Sequence, residues 1–285
     1  MHDTSAPNLG YLFYYKYFRN EELQPLDWKK LEQYSKGTEK EKEHVADVFQ
    51  KKNTTLTGPI YSTVENAMLD FVPKEQQFQL TTIYPGLLIG SGYTHETRML
   101  NEFKLGFYFD HTTGLPHIPG SSVKGALRSP FVSAPSFVLN CWMDAVREEE
   151  EKEGQEVTWP RLDTTLLEAL ELEIFGGRPK SNQQQGKKGG DIFYDAIPII
   201  QPGKSLLGND FITPHINRKN RALDAFTDPT PLQFMKVLPE ITFCFQFELK
   251  DGILTAEQKL ALFRRIILQL GVGAKTNVGY GQFKP

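Results

Sequence analysis

The alternation of apolar and polar positions is clearest in the C-terminal part of the chain. In ITFCFQFEL, from Ile241 to Leu249, every second residue is apolar, which predicts a strand with one buried face. Thr255 and Gln258 have the spacing of a capping box, so a helix is predicted to begin there and to end at Gly271. The apolar residues at helical spacing on its buried side are Leu260, Phe263, Ile267 and Leu270.

The middle of the chain also divides into strands and helices. Extended structure is predicted in FQLTTIYPGLLIG, in FKLGFYFD and in DIFYDAIPII, where Pro198 marks the end of a strand or an edge position. Helices are predicted in SFVLNCWMDAVREEEEKEG and LLEALELEIFGG. A shorter helix is predicted after the Pro119–Gly120 turn, with Ser121 or Ser122 as its N-cap. Pro130 is expected to break or kink it.

Three further segments have no strong periodicity of this kind. Residues 1–75 are predicted to form a helical, polar extension, in which the aromatic segment YLFYYKYF has two interpretations. Core packing is favoured over base stacking for these aromatic residues. The basic, glycine-rich stretch 178–190 is predicted to be a mobile loop, and residues 201–239 are predicted to form a long excursion from the core.

The order of the predicted elements indicates an α+β fold. Strand, helix, strand, strand, helix and strand follow one another, with large insertions, which is the split βαβ or ferredoxin-like (RRM-like) plan. The predicted division is a helical N-terminal extension over residues 1–75, packed on a ferredoxin-like domain over residues 76–285.

Composition narrows the class of protein but not its chemistry. With 39% hydrophobic and 24% charged residues, the chain is typical of globular proteins that fold in water. Its two cysteines, Cys141 and Cys244, form no disulfide framework, and the N-terminus lacks a cationic signal region, so a cytoplasmic location is expected. A formal charge of −3 argues against a histone-like polyanion binder, although a local basic groove is compatible with it.

The C-terminal segment GVGAKTNVGYGQFKP concentrates glycines around one lysine, Lys275, and its GYGQF part is predicted to return as a final strand. A phosphate-binding NTPase loop is excluded because Ala274 precedes the lysine and Gln269 stands where the first glycine is needed. A dinucleotide-binding loop is excluded because no helix follows. Two interpretations remain: a loop that brings backbone amides and Lys275 against a phosphodiester chain, and a close-packed turn that contacts no ligand.

The segment PGSSVKGALR has a similar character. Serine hydroxyls and backbone amides at a helix start form an anion site. Lys124 and Arg128 are four residues apart on one helix face, with Gly125 lowering the surface between them. A capped surface helix is the alternative. Two such segments in one domain favour an interface for a nucleic-acid backbone.

These motifs together resemble the RAMP superfamily of CRISPR proteins. The resemblance is carried by LPHIPGSSVKGALR, EIFGG, DIFYDAIPI, NDFITPH and GVGAKTNVGYGQF, which occur in this order between about Phe78 and Phe283. The same order is typical of one subunit of the type III-B (Cmr) effector complex. The resemblance implies a noncatalytic backbone subunit of an RNA-guided antiviral ribonucleoprotein, located near the 3′ end of its CRISPR RNA.

The resemblance also implies contacts and partners. Guide phosphates would be bound by Ser121, Ser122, Lys124, Arg128, Gly271, Gly273, Lys275, Thr276, Asn277 and Gly279. A long loop would approach the guide–target duplex with His215, Arg218, Lys219 and Arg221, and secondary contacts would come from Arg178, Lys187 and Lys188. The implied partners are CRISPR RNA, target RNA paired with it, the repeated backbone RAMP subunit, the other terminal RAMP subunit and the small helical subunit. No cofactor, metal or membrane is implied.

Two other classes of function remain open from the residues alone. A metal-independent endoribonuclease that processes CRISPR precursor RNA needs a general base and a general acid; its candidates are His95, His111, His117 and His215. Metal catalysis is less favoured, because Asp191, Asp195 and Asp210 lack the spacing of a shared ligand set. A scaffold without RNA contacts would be supported if Lys124, Arg128 and Lys275 proved buried or salt-bridged.

Overall fold

The structure, a computed structural model, describes residues 8–60, 72–94, 99, 101–154, 156–177, 186–212 and 232–285. The helices are α1 (Leu9–Tyr14), α2 (Trp28–Ser35), α3 (Glu39–Thr57), α4 (Gly120–Ser133), α5 (Pro135–Glu153), α6 (Thr164–Phe175) and α7 (Ala256–Leu270). The strands are β1 (Gln77–Thr82), β2 (Gly90–Thr94), β3 (Leu105–Phe107), β4 (Gly176–Gly177), β5 (Lys187–Lys188), β6 (Ile192–Phe193), β7 (Ile197–Pro198), β8 (Leu207–Ile212), β9 (Leu232–Val237), β10 (Thr242–Glu248) and β11 (Phe283–Lys284). Among the described residues, no helix is long and apolar enough to cross a membrane.

The chain folds into two compact units, each assembled from separated stretches. Unit 1 comprises residues 1–64, 88–116 and 200–238, and unit 2 comprises residues 65–87, 117–199 and 239–285. Both units combine helices with antiparallel strands, which agrees with the expected α+β class. The boundary expected near residue 75 stays a prediction.

Unit 2 is built on an antiparallel sheet with the strand order β11-β1-β10-β6, in which β7 also pairs with β10. On one face Phe78 lies opposite Phe245 in the register of β1 and β10. The expectation that β10 buries only this face is wrong, because Cys244 and Gln246 are buried as well. On this second face the Cys244 thiol donates to the Gln77 side-chain oxygen of the neighbouring strand β1.

The helices of unit 2 follow the expected pattern with two corrections. The capping box at Thr255 and Gln258 is confirmed, and α7 ends at Gly271 with a φ of 72°. The buried face of α7 differs from the expected one, since Leu270 is exposed and Lys259 is buried. Pro130 lies inside α4, and the chain breaks instead at Ala134, before α5 begins.

Unit 1 contains α1–α3 and the strand pairs β2–β3 and β8–β9. Asp27 is the N-cap of α2, and its side chain accepts from the backbone N–H of Lys30. Residues 201–239 were expected to leave the core as a long excursion. This expectation is wrong for β8 and β9, which pair in antiparallel register and bury Phe234 and Val237. Residues 213–231, between these strands, lie outside the described part of the chain.

Candidate nucleic-acid interface

The start of α4 is held by a carboxylate from a distant part of the chain. The backbone N–H of Gly120 donates to Asp195 Oδ1 at 2.7 Å. The expectation that a serine caps this helix is wrong: Pro119 is the N-cap residue, and Ser121 and Ser122 are exposed in the first turn. The helix start therefore already has a negatively charged partner, which offsets its positive dipole.

Asp195 also fixes the turn that precedes α4. His117 Nε2 lies 3.4 Å from Asp195 Oδ2, and the His117 side chain is only 12% exposed. A Cβ at Gly120 would lie 2.2 Å from the Phe193 carbonyl oxygen, so this position has room only for glycine. Asp195 therefore anchors this turn through its contacts with Gly120 and His117.

The two cations on α4 have different environments. Lys124 Nζ lies 5.6 Å from the ring centroid of Phe193, within the range of a cation–π contact. Arg128 Nε donates to Glu171 Oε1 on α6 at 2.8 Å, while 40% of the arginine side chain stays exposed. Gly125, on the exposed side between them, has open space where a Cβ would be.

Two further lysines lie beside Arg128. The stretch 178–190 was expected to be a loop, but Lys187 and Lys188 form β5 and pair with β4. Gly177 lies opposite Lys187, and a Cβ at Gly177 would be 2.9 Å from an Arg128 guanidinium nitrogen. Both lysines are exposed. Lys124, Arg128, Lys187 and Lys188 are called the basic edge below, and Arg178 lies outside the described residues.

The glycine loop, residues 271–281, is closed at its neck by contacts within the chain. Val272 N donates to the Gly281 carbonyl at 2.9 Å. A Cβ at Gly271 would lie 2.3 Å from Gly281 O, and a Cβ at Gly281 would lie 1.9 Å from Val272 O. Gly271 and Gly281 are buried and have positive φ angles, so the requirement for glycine at both positions is structural.

The tip of the same loop is open to solvent. Lys275 has a left-handed backbone with a φ of 61°, and its side chain is exposed. Within the described part of the chain, Lys275 forms no ion pair. Asn277 is also exposed, and Thr276 is half-buried in a short 3-10 turn. The loop thus joins a packed neck to a cationic, polar tip.

The two segments lie at opposite edges of the sheet of unit 2. The glycine loop leads into the edge strand β11, and Gly281 N donates to Gly86 O beyond the end of β1. The start of α4 lies against β6 at the other edge. Three strand spacings separate these edges, or about 14 Å across the sheet. A single phosphate cannot bridge them, whereas a polynucleotide chain can.

The carboxylates considered for metal binding have partners within the chain. The buried Lys259 donates to Asp191 at 3.1 Å, and its Nζ also lies 3.0 Å from Glu173 Oε1 in an ion pair. Asp210 pairs with Lys236 Nζ at 2.6 Å. Among the described residues, no group of three His, Cys, Asp or Glu side chains could hold a metal ion.

The cysteine thiols and the histidines offer no better support for catalysis among the described residues. Burial raises the pKa of the Cys141 thiol to about 11, with a smaller contribution from Asp144, and burial raises the pKa of Cys244 to about 11. Both are neutral thiols at pH 7, which is unfavourable for nucleophilic chemistry. Of the histidines, His111 is exposed in unit 1, and His95 and His215 lie outside the described residues. The loop contacts expected at Arg218, Lys219 and Arg221 also lie outside them.

Comparison with known proteins identifies relatives of this chain. A sequence model of the RAMP superfamily matches residues 79–284, well over half of the chain. The chain is similar to CRISPR system Cmr subunit Cmr6 of Pyrococcus furiosus, with 28% identity over 59% of this chain and 58% of that protein. It is also similar to CRISPR system CMR subunit Cmr6 of Saccharolobus solfataricus, with 28% identity over 64% of this chain and 49% of that protein.

The fold is shared with a chain of a solved CRISPR complex. A chain in the cryo-EM structure of the type III-B Cmr-beta complex bound to cognate target RNA matches with a TM-score of 0.55 and 22% identity, covering 98% of this chain and 87% of that chain. The chain spans about half to three fifths of the length of the two curated relatives. The resemblance expected from the motifs is confirmed by the family match and by the names of these relatives.

Proposed function

Since the chain belongs to the RAMP superfamily, we propose that it is a noncatalytic, CRISPR-RNA-binding backbone subunit of a type III-B (Cmr) effector complex. Its position is near the 3′ end of the guide, and its setting is a cytoplasmic antiviral ribonucleoprotein. The proposal is supported by two relatives that are named as subunit Cmr6 of such complexes.

We assign unit 2 to the ferredoxin-like plan. Helices α4–α6 lie between β1 and β6 in the chain, and α7 lies between β10 and β11. The spatial order β11-β1-β10-β6, with antiparallel neighbours, is the order that a split βαβ unit gives. The helices of residues 9–57 would then form the N-terminal extension.

One observation carries the RNA-binding proposal: the exposed tip of the glycine loop presents Lys275 without an ion pair among the described residues. A lysine on a left-handed backbone between glycines can approach a phosphate closely, together with nearby amides. The basic edge supplies a second cationic segment. Contacts of this kind are largely independent of RNA sequence and weaken as salt increases.

The partners follow from the same assignment. The guide RNA would contact unit 2, and residues 213–231 would approach the guide–target duplex with His215, Arg218, Lys219 and Arg221. Protein neighbours would be the repeated backbone RAMP subunit, the other terminal RAMP subunit and the small helical subunit. Cutting of target RNA would be carried out by another subunit.

The test is the affinity of purified protein for a labelled repeat–spacer RNA. Lys124→Ala combined with Lys275→Ala should weaken binding by about tenfold or more, because two charge-assisted phosphate contacts are lost. Lys152→Ala combined with Lys284→Ala is the matched control, since both lysines lie in unit 2 and are ion-paired. Unchanged affinity of the first variant, with an unchanged melting temperature, would refute the proposal.

A processing endoribonuclease remains the second candidate because of one contact. The carboxylate of Asp195 orients His117 next to the start of α4, as a general base requires. The low exposure of His117 and its pairing with Asp195 favour a structural role. Cleavage of precursor RNA in chelator, abolished by His117→Ala in a folded protein, would establish the nuclease instead.

A further inference from the structure

The aromatic segment YLFYYKYF divides its side chains between the core and the surface of unit 1. Phe13 and Tyr17 are buried, and the Tyr17 hydroxyl donates to Asn53 Oδ1 at 2.8 Å. Tyr11 and Tyr15 are 44% and 43% exposed. Core packing therefore accounts for part of this segment but leaves three tyrosines exposed, Tyr11, Tyr14 and Tyr15.

Two of the exposed tyrosines, Tyr11 and Tyr15, form a stack with an arginine. The ring centroids of Tyr11 and Tyr15 are 5.2 Å apart with an interplanar angle of 24°. Arg19 Cζ lies 4.1 Å from the centroid of the Tyr15 ring, and its guanidinium donates to the Leu23 carbonyl. Tyr11, Tyr15 and Arg19 are called the tyrosine ladder below. The ladder is defined by these contacts and not by one continuous helix, because α1 ends at Tyr14 and a separate 3-10 turn covers Lys16–Phe18.

A basic cavity adjoins this ladder. It has a volume of about 440 Å³ and shares Arg19 with the ladder. Its charged walls include Lys16, Lys51 and Lys52, in addition to Arg19, against the carboxylates of Glu21 and Asp47. The cations therefore outnumber the carboxylates, although the whole chain is slightly acidic. A cavity of this charge favours an anionic ligand.

Lys52 lines this cavity and is partly buried. Its Nζ donates to the carbonyls of Lys16 and Arg19 at 3.1 and 2.6 Å, so the lysine is fixed in place. Burial lowers the pKa of Lys52, and the nearby charge of Lys16 lowers it further. An anion that enters the cavity would relieve the repulsion between these two cations.

We infer that the tyrosine ladder and the basic cavity form a second binding surface for single-stranded RNA, separate from the sites in unit 2. An unpaired base would stack on the exposed ring of Tyr11, and the adjoining phosphates would enter the cavity. Stacking on aromatic side chains beside a cationic groove is how proteins bind single strands without sequence preference. A duplex does not expose its base faces in this way.

This surface lies outside the part of the chain that the superfamily model matches. All of its residues lie between positions 11 and 55, whereas the superfamily model matches residues 79–284. The inference rests on the proposed function only in that RNA is the ligand. Its failure can be distinguished, because the variants that test it lie in unit 1 and those that test the guide interface lie in unit 2.

The stacking is tested with the full chain and a fluorescein-labelled single-stranded RNA, measured by anisotropy. Tyr11→Ala should weaken binding by about fivefold or more, the lower end of the effect of losing one stacked base. Tyr11→Phe keeps the ring and should bind as the wild type does. A duplex of the same sequence should show no difference between the two variants.

The phosphate contacts are tested by salt dependence. Lys51→Ala should lower the slope of log K against log salt by about 0.7, the value for one lost contact to a single strand. Lys40→Ala is the control, because Lys40 is exposed on the same helix, α3, and does not line the cavity.

The outcomes separate the two proposals. Wild-type affinity of both Tyr11→Ala and Lys51→Ala would overturn this inference, whatever the unit 2 variants do. It would leave a protein partner as the occupant of the surface. Loss of affinity in these variants, with unchanged melting temperatures and with Tyr11→Phe unaffected, would support the inference even if Lys124→Ala with Lys275→Ala has no effect on binding.

Discussion

The start of α4 and the tip of the glycine loop are both expected to bind phosphate, but the chain surrounds them differently. At α4, Asp195 accepts from the first backbone N–H and Glu171 pairs with Arg128. At the loop, packing is confined to the neck, where Gly271 and Gly281 meet, and the charge of Lys275 is left exposed. Similar residue types therefore leave different amounts of positive charge available to a ligand.

This difference separates two reasons for a glycine-rich, basic segment. At the neck of the loop, glycine is required because two backbone segments come together. At Gly125 the structure leaves open space, so a structural reason for glycine is lacking there. Gly125 lies between two cations, Lys124 and Arg128. A polynucleotide backbone that passes over this position would explain why it has no side chain.

The largest expected effect distinguishes these two kinds of glycine. Gly281→Ala places a Cβ against Val272 O in a left-handed conformation and should lower the free energy of unfolding by about 3 kcal/mol. Gly125→Ala should instead raise it by about 0.5–1 kcal/mol, since alanine is the better helix former. Thermal unfolding of both variants measures these two changes in the free energy of unfolding. Equal stability of the two variants would contradict the assignment of the neck as structural.

The Gly125→Ala variant also tests whether RNA contacts α4. If RNA passes over Gly125, the Gly125→Ala protein will be more stable than the wild type but will bind RNA less tightly. An increase in both stability and affinity would count against RNA contact at this part of α4.

The next effect concerns the exposed charge at the tip. Lys275→Ala should weaken RNA binding by about tenfold and leave the melting temperature unchanged, because the side chain has no ion pair within the described residues. Lys152→Ala, which removes a lysine paired with Glu149, should leave affinity unchanged. An equal loss of RNA affinity in both variants would indicate a general effect of net charge and not a specific contact at Lys275.

A smaller effect is expected at the start of α4. Asp195→Asn keeps an acceptor for the Gly120 N–H but removes the charge that faces the helix dipole and His117. Stability should fall by about 0.5–1 kcal/mol, and RNA affinity should rise because a negative charge is lost. Calorimetry and anisotropy check the two parts. A weaker affinity would mean that Asp195 itself helps to hold RNA.

The smallest effect tests the pairing of Arg128. Glu171→Gln releases the guanidinium from a partly exposed ion pair, which is worth about 0.5 kcal/mol. Affinity for RNA should therefore increase by about twofold. Arg128→Ala should remove this gain when it is combined with Glu171→Gln. If RNA affinity is unchanged both in Glu171→Gln and in its combination with Arg128→Ala, Arg128 lies outside the interface.

Much of the local structure could be predicted from the sequence because its determinants lie close together in the chain. The capping box at Thr255 and Gln258 and the helix end at Gly271 are examples, since each depends on residues within one turn. The alternating strand β10 was located correctly for the same reason.

The surroundings of the candidate site could not be predicted in this way. The bond from Gly120 to Asp195 joins residues 75 positions apart, and that from Arg128 to Glu171 joins residues 43 positions apart. Lys259 is buried because two carboxylates from other elements face it, which helical periodicity alone does not indicate. Whether a cation is available to a ligand is decided by such tertiary contacts.

RNA binding without cleavage is tested most directly by mixing the purified protein with end-labelled repeat–spacer RNA in chelator, over a series of salt concentrations. Retention of the RNA and the appearance of fragments are scored together. Retention should fall as salt increases, since the contacts are to phosphates, and the RNA should stay intact. Absence of retention even at low salt, or a defined cut within the repeat, would contradict it.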